Sequence, residues 1–341
     1  MAAQLPSQRI EIVNALRAFA ALFVAWGHFV AGQGKWLGLS GWYGYTGVHI
    51  FFVISGFIIP YSLYRSRYTL RNFGRFVLKR CLRLYPPYVV SIGIMIVATN
   101  VFMVRIFHIP GLHITGNLLL YHLFYLNDLV GAPWINVVYW TLAIEFQWYL
   151  VAGLLFPLYA SRRPALQFCG VGLATLSYFL VHNDKLVFHS LPIFLVGVFV
   201  FQYKAGLISR ERMLGLIAVM VWAMRGPIGW IVAGVSLATA LLIAFVEFRN
   251  RVADFLGDVS YSVYLLHLPI GVTVIGFLSK HLPYSGSYIG LLDAVGIAAS
   301  VGGAALLYRF VEKPSQEMSS RIRFVRATPR PKLEPVAAAA D

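Results

Sequence analysis

The sequence predicts an all-α, polytopic membrane protein of about ten transmembrane helices with both termini in the cytoplasm. Three observations predict it. The 341 residues are 59% hydrophobic and only 12% charged, and mean hydropathy is +0.72, well above a soluble domain. Windows of about 20 residues, enough to cross roughly 30 Å of hydrocarbon, recur along nearly the whole chain. The basic residues segregate: with ten spans and a cytoplasmic N-terminus, Lys35, Arg105, Lys185, Arg225 and Lys280 fall outside and the other 23 of the 28 fall inside. Loops rich in Lys and Arg stay in the cytoplasm, so this orientation is the consistent one.

In order, the spans are expected at 12–31, 44–63, 84–104, 137–159, 165–182, 186–203, 213–225, 227–247, 257–278 and 286–309. The first has the position of a signal peptide, but it contains an arginine, lacks a small-x-small cleavage site and is followed by many more apolar segments, so it reads as a span. The seventh is short, and the break after it rests on Gly226 and Pro227, so a count of nine is also open. "GNLLLYHLFYLND", 116–128, is apolar but too short to cross and reads as an interfacial or re-entrant helix. Residues 1–315 form the transmembrane domain, and 316–341, ending "PRPKLEPVAAAAD", read as a basic, disordered cytoplasmic tail.

The formal charge of +15 and pI near 9.9 would suggest nucleic acid in a soluble protein. Here the charge is mostly topological, and no nucleic-acid partner is expected. Cys81 and Cys169 fall at the inner side and within a helix, which makes a disulfide unexpected, and neither metal-ligand spacing nor a Walker or dinucleotide-binding loop is present.

Ionisable residues inside spans carry the functional signal, because each is costly in hydrocarbon unless it faces protein or water. They are Arg17, His28, Glu145, His267 and Asp293. Arg17 and His28 are eleven residues apart, three turns plus about 20°, hence on one helix face and about 16 Å apart along the axis. Arg80 and Arg83, with Lys79 beside them, put two guanidinium forks on one face, where they serve either as a positive-inside anchor or as a phosphate clamp. Glu145 is expected at a depth comparable with His28, where a carboxylate could hold an imidazole tautomer; the alternative is a structural Glu bonded to backbone or Trp140. For His267 packing or acceptor binding outweighs catalysis, and for Asp293 a hydrogen bond between helices is expected.

"NALRAFAALFVAWGH", "GVHIFFVISGFII", "RFVLKRCLRLYPPY", "WTLAIEFQWYL", "LGDVSYSVYLLHLP" and "VEKP" together resemble the acyltransferase 3 family, membrane O-acyltransferases of bacterial polysaccharides, over residues 9–315. The resemblance implies a ten-helix bundle in the bacterial inner membrane. It uses acyl-CoA, usually acetyl-CoA, to acylate a hydroxyl of an exported or cell-surface carbohydrate, which could be lipid-linked. The family's Arg and His fall on Arg17 and His28, its Arg-x-x-Arg on Arg80 and Arg83, and its acid on Glu145. Arg17, Arg80 and Arg83 are then expected to bind the phosphates of CoA, with His28 as general base or acyl carrier and Glu145 orienting it. Two departures stand out: Asn14 and Ala15 replace a common Asp-Gly, and His49 replaces a common Asp. The rival from another class is a transporter or flippase, which predicts an inverted repeat that the motifs do not show. A sensor or scaffold without chemistry would be favoured by an incomplete His, Arg and Glu set, and the set is complete.

Overall fold

The computed structural model describes residues 11–30, 41, 43–108, 110–181, 183–282 and 288–324. Among these, every regular element is helical and none is a strand. Seven helical runs are long and apolar enough to cross a membrane: Ile12–Val30, Tyr43–Arg65, Leu70–Phe102, Tyr139–Tyr159, Val187–Lys204, Arg251–Leu278 and Tyr288–Arg321. Pro164–Leu180 and Trp230–Phe245 are shorter apolar helices. The chain is thus a multi-pass, all-α membrane protein.

Within these runs the long helices are α1 Glu11–Val30, α2 Thr46–Arg65, α3 Phe73–Val97 and α4 Tyr139–Tyr159. They continue with α5 Pro164–Leu180, α6 Val187–Lys204, α7 Arg210–Met224 and α8 Trp230–Phe245. The last are α9 Arg251–Leu266, α10 Tyr288–Leu307 and α11 Lys313–Arg321.

Two sequence expectations are corrected. The third helix was expected at 84–104, yet α3 begins at Phe73 and holds Pro86 and Pro87 in its interior before a π-helical segment, Ala98–Met103. The basic run, expected to precede the span, is therefore part of the same helix, in keeping with the single helical face expected for Arg80 and Arg83. Apolar Phe76, Tyr88 and Ile92 face the core and carry the helix through the prolines. The tail was expected to be disordered from 316, but α11 runs to Arg321. It is held because Ser319 Oγ donates to the Lys79 carbonyl at 2.9 Å and the Phe324 ring packs on Tyr68 at 5.7 Å and under the Lys79 ammonium. Residues 325–341 lie outside the described residues.

The short apolar stretch forms two small helices, Gly116–Leu123 and Asn127–Val130, the first capped by Thr115 Oγ1, which accepts from Leu118 N at 3.1 Å. Buried His122 fastens this stretch: its Nδ1 donates to Leu118 O at 2.8 Å and its Nε2 accepts from Ile135 N at 3.0 Å.

With lipid outside as apolar as any side chain, helices associate through close packing rather than hydrophobic exclusion. The most extensive contact is α2 with α6, where Gly56 and Gly197 face each other's helices: a Cβ on Gly56 would meet the Phe194 carbonyl, and one on Gly197 the Val53 carbonyl. Around that crossing Trp148 of α4 and Phe52 of α2 each stack on Phe194 with centroids 4.7 Å apart. The next largest contact, α1 on α9, brings Gly257 against the Asn14 backbone and aligns the Arg17–His28 face with the motif that carries His267.

Candidate active site

Helices α1, α2, α3, α4 and α9, joined by Glu312, enclose a cavity of about 640 Å³. Its length is legible along α2, where the lining runs from Val48 to Ser66, 18 residues or roughly 27 Å at 1.5 Å each. One stretch of the wall is cationic, with Arg17 from α1, Arg65 from α2, and Arg80 and Arg83 from α3. Two carboxylates, Glu145 and Glu312, share that wall.

Arg80 and Arg83 reach the cavity because they are three apart in α3, on the turn before Pro86. The Arg80 guanidinium lies between two rings, 5.4 Å from the Phe76 centroid and 5.5 Å from that of Tyr149. Rings on its faces leave a guanidinium's N–H groups directed edgewise. The Nε of Arg80 is buried and makes no hydrogen bond. A buried donor left unmatched costs about 1–3 kcal/mol, a cost that an anion in the cavity would remove.

Glu145 half-buried on α4 accepts from Ser55 Oγ and from Tyr149 OH, both at 2.6 Å on the same oxygen. Tyr149 lies one turn further along α4, so the carboxylate fixes the ring on which Arg80 rests. Glu312 accepts from Ser262 Oγ at 2.6 Å and from Gln316 Nε2 at 2.9 Å. Its place in the cavity was not foreseen, although the "VEKP" motif contains it.

The expected pairing of Glu145 with His28 is not formed. Among the described residues they share no hydrogen bond; Glu145 is turned toward the arginines, because Ser55 and Tyr149 hold it there. His28, exposed near the far end of α1, has His267 as its neighbour: Nδ1 of His28 is 2.9 Å from the Val24 carbonyl and 3.3 Å from Nε2 of His267. The rings are 5.1 Å apart, tilted at 47°.

His28 does not line the cavity; His267 and Tyr264 connect the two. Tyr264 lines the cavity, its hydroxyl lies 2.6 Å from Thr141 Oγ1 and donates to Val138 O at 3.1 Å, and its own carbonyl is 2.8 Å from His267 Nδ1. Phe51 packs edge-on against the Tyr264 ring at 5.9 Å. Arg17, Arg80, Arg83 and Glu145 are thus in one cavity, and His28 stands just beyond its inner wall.

Residues 10–309 match the family described as an acyltransferase domain. The chain belongs to the acyltransferase 3 family. Among its relatives, nodulation protein 10 of Rhizobium leguminosarum bv. viciae is 25% identical, over 90% of this chain and 93% of that protein. ORF330 of the Acidianus two-tailed virus, provisionally named an acetyltransferase, is 26% identical over 74% of this chain and 81% of its own length. No solved structure matches the chain. As an acyltransferase 3 protein it has acyl transfer as its chemistry.

Residues that sequence reading left without a catalytic role acquire one position each from packing. Ser55, Tyr149, Tyr264, His267 and Glu312 all lie inside the six quoted motifs, and the only signal in the sequence was that a polar residue sits in an apolar run.

Proposed function

We propose that the protein transfers an acyl group, most simply acetyl, from acyl-CoA to a hydroxyl of an exported or cell-surface carbohydrate at the bacterial inner membrane. The observation that carries this reading is the cationic wall of the cavity, with the ring-clamped, hydrogen-bond-deficient Arg80 beside Arg83 and Arg17. The diphosphate and 3'-phosphate of CoA are anions of the right kind for such forks. The basic wall lies at the cytoplasmic mouth in the orientation that charge segregation favours, with both termini on that side. A pantetheine arm of about four or five peptide lengths, roughly 15 Å, matches the rise from Arg17 to His28. To reach His28 it passes the inner wall at Tyr264.

His28 removes the proton from the acceptor hydroxyl with Nε2. The alkoxide adds to the thioester carbonyl; collapse of the tetrahedral intermediate breaks the C–S bond, and the CoA thiolate takes the proton back from His28 Nε2. The acceptor approaches from the exposed side of His28. Glu145 acts at the donor end: by holding Tyr149 it keeps Arg80 in place.

The reading is tested with purified full-length protein in detergent, following acetyl-CoA binding and release of CoA thiol. Binding and turnover by wild type, binding without turnover by His28→Ala, and loss of binding by Arg80→Ala/Arg83→Ala are expected. Absence of acetyl-CoA binding by wild type overturns the donor assignment and makes solute transport the reading to pursue.

A further inference from the structure

His267 begins the π-helical segment His267–Val272, is fully buried, and has no place in the mechanism above. Its hydrogen bonds decide its tautomer. Nδ1 faces only carbonyl oxygens, Tyr264 O at 2.8 Å and Val263 O at 3.3 Å. Carbonyls accept and never donate, so Nδ1 carries the hydrogen. A neutral imidazole has one N–H, which leaves Nε2 of His267 as a lone pair, and that lone pair lies 3.3 Å from Nδ1 of His28. The other neighbour of His28 Nδ1 is the Val24 carbonyl at 2.9 Å, also an acceptor. Both groups facing His28 Nδ1 therefore require a hydrogen there.

We infer that His267 is a positioning residue for acyl transfer: its Nε2 lone pair, with the Val24 carbonyl, keeps the proton of His28 on Nδ1 and leaves His28 Nε2 as the free base. The inference rests on the reading of His28 as the base. A carboxylate usually does this work for a histidine base. Here a second, neutral histidine does it, braced by the backbone of Tyr264, the residue that also walls the donor cavity. When His28 takes the acceptor proton on Nε2, its Nδ1–H becomes cationic and is shared between the two acceptors, and the proton leaves again from Nε2 to the thiolate. His267 itself gains and loses no proton.

Two variants separate this from a packing role. His267→Phe keeps an aromatic ring against Phe29 and Tyr264, whose centroids lie 6.4 and 5.9 Å away, but has no lone pair. His267→Gln offers an amide oxygen near the position of Nε2. With purified full-length protein and acetyl-CoA as the probe, His267→Phe is expected to lower kcat for CoA-thiol release about 10- to 100-fold, leaving KM and acetyl-CoA binding at wild-type values. His267→Gln should return to within about 3-fold of wild type, as an acceptor restored in place predicts. Wild-type kcat in His267→Phe overturns the inference, as does a Gln variant no better than Phe, or a fall in acetyl-CoA binding that parallels kcat. His28→Ala in the same assay tells the two readings apart: if it is inactive while His267→Phe is fully active, only the role of His267 fails; if His28→Ala itself turns over normally, the base assignment fails and takes this inference with it.

Discussion

Nε2 of His267 lies 3.3 Å from Nδ1 of His28, two residues 239 positions apart in the chain. The contact joins α1 to the segment that follows α9, and it sits one residue beyond the cavity that holds the arginines. On the function proposed above, donor recognition and proton transfer occupy separate sides of the Tyr264 wall, and substitutions on the two sides should fail in different ways.

On the proton-transfer side, His28→Ala should reduce turnover by about 10²- to 10⁴-fold, the usual contribution of a positioned acid–base group. Acetyl-CoA binding, measured by calorimetry on the same preparation, should remain within about 2-fold of wild type, because the side chain does not line the cavity.

On the donor side, Arg80→Lys should behave more like Arg80→Ala than like wild type. Lysine supplies a charge but neither the planar face that fits between Phe76 and Tyr149 nor the fork that a phosphate accepts. Binding of acetyl-CoA should weaken about 10-fold or more, consistent with loss of a desolvated charge-assisted pair.

Tyr149→Phe probes the link from Glu145 to Arg80. It removes the 2.6 Å hydrogen bond to the carboxylate and keeps the ring, leaving Ser55 as the donor to Glu145. A fall in donor affinity smaller than that of Arg80→Ala, of the order of 3- to 10-fold, is expected for a single hydrogen bond to a charged group. Affinity equal to wild type would show that Glu145 has no hold on the arginine.

Packing of α2 on α6 gives a prediction independent of chemistry. Gly56→Ala and Gly197→Ala place a methyl against the Phe194 and Val53 carbonyls, which are backbone and cannot turn aside. Each should cost roughly 1–3 kcal/mol, the range for overpacking, read as a lower midpoint of thermal unfolding in detergent. Gly74→Ala, where nothing lies within 4 Å of the added carbon, is the control and should leave the midpoint unchanged.

Much of this was legible in the sequence because a membrane reduces the choices. Hydrocarbon forces backbone hydrogen bonds inside each segment, so long apolar runs had to be helices, and a charge within such a run had to face protein or water. That is why Arg17, Arg80, Arg83 and Glu145, chosen from spacing and motif, line a single cavity. Periodicity along one helix, however, says nothing about which helix faces it. Glu145 and His28 were matched by depth, yet depth leaves the azimuth open, and the azimuth of α4 turns Glu145 to Ser55 and Tyr149.

The sequence by itself determined the class of molecule, the helix faces that carry charge and the set of polar residues that chemistry could use, since these follow from composition and from a period of 3.6. Only the tertiary structure decided the partners. Glycine contacts at Gly257 and Gly56 set how closely and in what register α1, α2, α6 and α9 meet. The α1–α9 register gave His28 a histidine for its neighbour, while Arg80 takes one ring, Phe76, from its own helix and the other, Tyr149, from α4, which meets α3 at Gly153; side chains far apart in sequence meet only where backbones are allowed to approach.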